Sequence, residues 1–231
     1  MVNCMHLVKS ILFISMAIFI SACTSMPRIY SGEEVHGWVV DSKTKEPIED
    51  VVVVIAWELE GGFIHTDHTA NIHIAEAVTD TKGHYSFDNW GPRITVDGRR
   101  SRSTPRLVFY KFGYKDAYRL NSVSGNLNPD NSVSEHSGKI IELTEFTGKP
   151  AEYKDIISSI DSVIGTHGNR RSFMCTWKKI PRFTSEMVRL NEFFSNQRPI
   201  KYQKMYPSTY LNNLSNFGCE NPEIILKEYL K

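Results

Sequence analysis

Several scarcities bound what these 231 residues can do. Net charge is scarce: 27 Lys and Arg stand against 26 Asp and Glu, a formal charge of +1. Global charge therefore steers the chain toward no particular partner, and any electrostatic recognition is local. Long apolar runs are scarce too, and the run from Ile11 to Ile20 is too short to span a bilayer comfortably as a helix. Cysteine is limited to four residues, and no Cys or His stands at ligand spacing beside Cys175 or Cys219, which argues against a thiolate metal centre. There is no G-x-S-x-G elbow for a serine nucleophile, and no spacing of Asp and Glu singles out an acid/base pair. The expectation is a protein that is not an enzyme and has no cofactor.

What is present begins with an address. Lys9 supplies a positive n-region, Ile11 to Ile20 a short apolar core, and Ser21-Ala22-Cys23 follows, the layout of a cleaved export signal over residues 1–22. Ile20-Ser21-Ala22-Cys23 resembles a bacterial lipobox. That resemblance implies cleavage before Cys23 and lipidation of its thiol and new N-terminus. The alternatives are an ordinary signal peptide cut nearby or an uncleaved membrane anchor. Cleavage leaves 209 residues with 26 basic and 26 acidic side chains. Several acyl chains on one cysteine would hold the protein firmly, each buried methylene adding roughly 0.8 kcal/mol. Thr24, rather than Asp, follows the lipid site, which by family convention favours the outer membrane. Cys4 leaves with the signal and Cys23 is consumed, so Cys175 and Cys219 remain in an oxidising compartment, most simply as a disulfide. Closing that loop contributes about 4 kcal/mol on the chain-entropy model. Nucleic acid is not an expected partner for an exported chain.

Residues 23–34 read as a tether, and from Val35 the pattern turns to strands. Gly37, Val39 and Asp41 alternate, then Val51, Val53, Ile55 and Trp57 line one face while Val52, Val54 and Ala56 line the other. A run apolar on both faces predicts a strand covered on both sides. Thr79-Asp80-Thr81-Lys82-Gly83 predicts a tight turn, with Gly83 free to take positive φ and Thr79 and Asp80 bracing it. Tyr85 and Phe87 then share one face of the next strand. With His73 to Thr79, Leu107 to Lys111, Asp116 to Leu120 and Lys139 to Leu143, about seven short strands are expected, the pattern of a mainly β chain folded as a β-sandwich. Asn121 to Gly138 reads as a long exposed loop.

The order of these pieces resembles a carboxypeptidase regulatory-like domain: Gly37, Val39, Asp41; then Pro47, Ile48, Val51, Val53; then Thr79, Asp80, Gly83, Tyr85, Phe87; then Gly113, Tyr114. The resemblance covers residues 35–146 and implies a seven-stranded, transthyretin-like (prealbumin-like) sandwich. Lys45 departs from it by standing where a Gly usually completes the first turn. The spacers Glu58 to Ile72 and Gly91 to Pro105 are long, which predicts extended loops.

Residues 147–231 change character and predict a short helical extension. Tyr153, Ile156, Ile157, Ile160 and Val163 form a helical stripe, with Gly165 as a stop. Thr184 or Ser185 is expected to cap a helix holding Met187, Val188, Leu190 and Phe194. Asn221-Pro222-Glu223 predicts another helix start. These helices are expected to pack on the sandwich or on each other.

Four groups of side chains invite a functional reading, each beside a plainer one. His65, Asp67, His68 and His73 are metal-ligand types, and His73-Ile74-Ala75-Glu76 has H-x-x-E spacing. In a strand, however, His73 and Glu76 point to opposite faces, and the plainer reading is a polar loop with no bound metal. Arg99, Arg100, Arg102 and Arg106 crowd one inter-strand segment, while Arg170, Arg171, Lys178, Lys179 and Arg182 crowd another. Guanidinium clusters suit phosphate or carboxylate polymers; the plainer reading is a solvated loop balanced by acids. Trp38, Trp57, Trp90 and Tyr110 raise carbohydrate stacking, against the default of core packing. Trp57 is expected in the core, and Trp38 and Trp90 are the exposed candidates.

Overall fold

The computed structural model describes residues 27–60, 70–95, 100–101, 105–115, 117–120, 131–132, 134–148, 175–196 and 221–229. It is a mainly β structure of two packed layers with a small helical extension. In chain order the strands are β1 (Arg28–Gly32), β2 (Val35–Asp41), β3 (Val52–Glu60), β4 (Ala70–Val78), β5 (His84–Phe87) and β6 (Trp90–Thr95). They continue with β7 (Arg100–Ser101), β8 (Arg106–Tyr110), β9 (Tyr114–Lys115), β10 (Ala117–Leu120), β11 (Asn131–Ser132) and β12 (Lys139–Glu145). Helices α1 (Pro181–Asn196) and α2 (Pro222–Leu226) follow, with a 3-10 turn at Thr176–Lys179.

One layer is the sheet β10-β8-β3-β4, with β7 also pairing β3; the other is β5-β2-β12-β9. Between them lie Val35 and Val39 of β2, Val53, Ile55 and Trp57 of β3, Tyr85 and Phe87 of β5, Leu107 and Phe109 of β8, and Ile141 and Leu143 of β12. Each strand contributes every second residue, as the two-residue period of a pleated strand requires. The opposite face of β3 and β8 is also buried: Val52, Val54, Ala56, Val108 and Tyr110 meet Ile180, Phe183, Met187 and Leu190. Phe183, Met187 and Leu190 recur at helical spacing, so α1 lies its apolar stripe across the outside of this sheet. The double-faced apolar run of β3 is thereby explained: one face fills the sandwich, and the other is roofed by the chain's own helix.

The turn motifs act as braces. Asp80 accepts the backbone N–H of His84 at 2.8 Å and of Lys82 at 2.9 Å, and these bonds hold its carboxyl below its usual range. Gly83 takes a φ of 71°, and Lys45 itself takes the left-handed φ, 62°, that a glycine would favour there. Asp41 accepts the N–H groups of Thr44 and Lys43, which likewise lowers its pKa. Thr79 braces a different connection from the one expected: its hydroxyl donates to Ile48 at 2.7 Å and accepts from Val51 at 2.8 Å, tying down the approach to β3.

Other expectations need correction. Twelve strands, not seven, occur among the described residues. The supposed tether contains β1, which pairs with β6 and β11 in a three-stranded sheet. The long spacers are partly strand: β3 and β4 extend through Glu60 and Ala70, and β6 and β7 occupy the second spacer. Part of the expected loop before Gly138 is β11. Strands of only two to six residues lack the long alternation that marks a longer strand, so the sequence pattern missed these. Thr184 and Ser185 lie inside α1 rather than capping it; their hydroxyls donate to the carbonyls of Ile180 and Arg182. The helix expected over residues 150–164 lies outside the described residues, as do residues 1–26 with Cys23. α2 begins at Pro222, as its opening predicted.

Candidate functional site

With α1 covering one sheet, the outward face of the β5-β2-β12 sheet is left without a helix over it among the described residues, and it presents an exposed indole. Alternation along β2 buries Val35, Gly37 and Val39 and turns His36 and Trp38 outward. Trp38 stands directly opposite His84 on β5 and Ile140 on β12. The Trp38 and His84 rings are 5.4 Å apart, and the His36 ring meets the indole edge-on at 6.1 Å. Trp38 is 38% exposed and Ile140 63%. At one end of this row His36 Nδ1 lies 3.5 Å from a Glu34 oxygen; at the other, Lys45 Nζ meets Glu142 at 2.8 Å. The result is a sheet face with an apolar, aromatic centre and charged ends, fit to pack on an apolar partner and to hydrogen-bond at its rim.

The sheet beneath is built for this display. A Cβ at Gly37 would lie 2.7 Å from both the Lys139 carbonyl and the Tyr85 hydroxyl. Gly37 therefore lets Tyr85 fill the core directly under the strand that carries Trp38, and burial pushes the Tyr85 hydroxyl up to about 12.

A second aromatic cluster sits where the three-stranded sheet meets the core. Trp90 stacks on His73 at 4.8 Å and packs edge-on against Trp57 at 5.4 Å, with the Arg93 guanidinium 5.6 Å from its ring centre. Arg93 also donates to the Ile72 carbonyl. Burial foremost, with Arg93 and Lys179 nearby, lowers the His73 pKa to about 4. The indole of Trp90 occupies the space that a side chain at Gly32 would need. Beside it an open cleft of about 460 Å³ is lined in part by Glu33, Glu34, Asn89, Trp90 and Pro92.

Placed on this frame, the expected site residues separate. Trp38 is exposed as expected, and Trp57 is buried in the core. Trp90 is half-buried and engaged with His73 rather than displayed. Tyr110 is buried beneath α1. His73 pairs with Trp57 on the core side of β4, whereas Glu76 pairs with Val54 on the side of α1, so the H-x-x-E pair is split between two faces. No group of three metal-ligating side chains occurs among the described residues. His65, Asp67 and His68 lie outside them, as do Arg99, Arg102, Arg170 and Arg171. Arg100 lies on β7. Arg106 lies on β8, half-buried, and its guanidinium pairs with the buried carboxylate of Glu58. Lys178, Lys179 and Arg182 belong to the 3-10 turn and the start of α1. Cys175 immediately precedes that turn, and Cys219 lies outside the described residues. His36, His84 and Ile140 were not singled out from sequence. Ile140 carried a legible signal, an apolar residue at an outward position of a strand whose inward positions are Ile141 and Leu143.

Neither a family model nor a curated protein sequence matches the chain. Among solved structures, the chain is similar to 3-chlorocatechol 1,2-dioxygenase from Rhodococcus opacus 1CP, at 12% identity over 54% of this chain and 62% of that one, with a TM-score of 0.29. It is also similar to the C-terminal domain of the shaft pilin of Lactobacillus rhamnosus GG, at 16% identity over 51% of this chain and 98% of that one, with a TM-score of 0.25. The chain thus spans less than two thirds of the dioxygenase. At these scores neither likeness carries an argument about activity or partner.

Proposed function

We propose that this protein is a non-enzymatic bacterial envelope lipoprotein, anchored through acylated Cys23 at the outer membrane and facing the periplasm, whose sandwich acts as a protein-interaction or structural module. One observation carries the interaction reading. The two outer faces of the sandwich are treated differently: the β3-β8 face is roofed by α1, while the β2-β12 face displays Trp38 and Ile140. A chain that covers one apolar face and leaves an aromatic at the centre of the other is organised to bind there. The motif residues that resemble a carboxypeptidase regulatory-like domain have structural occupations: Asp41, Thr79 and Asp80 brace turns, and Tyr85 and Phe87 fill the core. That distribution supports membership of that transthyretin-like group and a module without reactive machinery. The Cys175–Cys219 disulfide belongs to the same proposal. The test is affinity capture from solubilised envelopes by the acylated protein and by its Trp38→Ala variant. A stoichiometric protein lost with the indole supports the reading; capture indifferent to Trp38 rejects it.

The second reading is a glycan- or anionic-polymer-binding lipoprotein. It is favoured by the setting of Trp38, an exposed indole flanked by His36 and His84 that could donate to sugar hydroxyls around a stacked ring. A glycan array with wild type and Trp38→Ala separates it from the first reading.

A further inference from the structure

β1 and β6 run antiparallel, with Ile29 directly opposite Ile94. Tyr30, the next residue of β1, is buried, so the isoleucines lie on the face turned away from the core; they are 54% and 67% exposed. A directly opposed apolar pair left in water forgoes the burial that such pairs ordinarily gain.

The position of this pair along the chain says what covers it. Ile29 follows Cys23 by six residues, and an extended chain spans at most about 3.6 Å per residue, so the tether reaches no more than about 22 Å by any path. β1 then rises about 13 Å from Arg28 to Gly32. The exposed acids Glu33 and Glu34 follow at its far end. The end of β1 nearest Cys23 is thus basic and apolar, and its far end acidic. That is the polarity an anionic lipid surface selects, drawing Arg28 toward phosphate and leaving the carboxylates in water.

We infer that Ile29 and Ile94 form a membrane-contact pair, seated at the boundary between headgroups and acyl chains beside the anchor. This rests on the acylation of Cys23 proposed above. The pair adds a second point of contact to a single tether, and two points fix which side of the sandwich faces the bilayer.

The test uses the full-length protein expressed in a bacterium that processes lipoproteins, with p-benzoylphenylalanine in place of Ile94 and, separately, in place of Ile224. Ile224, 72% exposed on α2, is a control of similar exposure. After irradiation of intact cells, mass spectrometry reads phospholipid adducts at each position and acyl chains on the N-terminal peptide. Thermal melts establish that both variants fold, and the same probe at position 29 repeats the measurement from the partner strand. At least tenfold more phospholipid adduct at position 94 than at 224 is expected. An acylated N-terminus with equal adducts at both positions, or a protein adduct predominating at 94, overturns the contact and leaves the anchor standing. An unacylated N-terminus without lipid adducts overturns both.

Discussion

Glu76 and Phe183 stand 107 positions apart and are joined by a hydrogen bond of 2.9 Å, the Phe183 backbone N–H donating to one carboxylate oxygen. The other oxygen accepts the N–H of Arg182 at 2.8 Å. A residue of β4 therefore caps α1, in place of the Thr184 or Ser185 that local sequence suggested. The roof over the outer sheet is fastened by this bond pair as well as by apolar contact. Replacing Glu76 with Ala orphans two N–H groups at a helix start and should cost about 1–2 kcal/mol. Burial raises the Glu76 pKa, against the lowering effect of the two N–H donors and of Arg182. A carboxyl with a raised folded pKa contributes most stability at low pH, and loses it as pH rises through the folded value. Glu76→Gln keeps an acceptor without charge, so it should gain on wild type between pH 4 and pH 7. Urea midpoints of the three proteins at both pH values check this.

His73 behaves in the opposite sense. Its pKa falls to about 4 in the fold, chiefly through burial between Trp57 and Trp90. An imidazole kept neutral contributes stability that is present above the unfolded pKa near 6.5 and lost as pH falls toward 4. His73→Phe should flatten that part of the acid limb. In NMR, the His73 ring should show no titration until about pH 4.

Two glycines of the family-like motif should respond differently to Ala. Gly37 lacks room, since its Cβ would press on Lys139 and Tyr85, and overpacking there should cost about 1–3 kcal/mol. Gly113 has open space but a φ of 86°, so Gly113→Ala meets only backbone strain and should cost about 1 kcal/mol. Thermal or chemical denaturation of both variants measures the order.

Arg106 tests whether the first arginine group is a binding patch. Its partner Glu58 has a side chain only 3% exposed, and removing one member of such a pair leaves a buried charge. Arg106→Ala should therefore lose about 3–5 kcal/mol of stability. A stable variant with weakened polyanion binding would instead restore the basic-patch reading.

How much was legible follows from how each signal arises. The strands over 35–41, 52–60 and 84–87 were readable because their inward residues alternate or form an unbroken apolar run, and burial enforces that period. The turn at Gly83 was readable because positive φ and an Asp brace leave chemical marks. β1 and β6 were not, since their partners are distant and β6 has no fully buried residue to mark a period. The cap on α1 was invisible for the same reason: Glu76 is marked only by tertiary structure. At the aromatic face, Trp38 could be found by alternation along one strand, but its neighbours His84 and Ile140 required the register of three.

The outward face of β2 and β12 is the proposed partner-binding surface. Acylated wild-type protein and the double variant Trp38→Ala, Ile140→Ser are used to capture partners from envelope extracts, below the melting temperature of both, because removing an indole packed on His36 and His84 costs some stability. The predicted result is a stoichiometric partner retained by wild type and reduced at least tenfold by the folded variant. Equal retention by both proteins would contradict the assignment of this face.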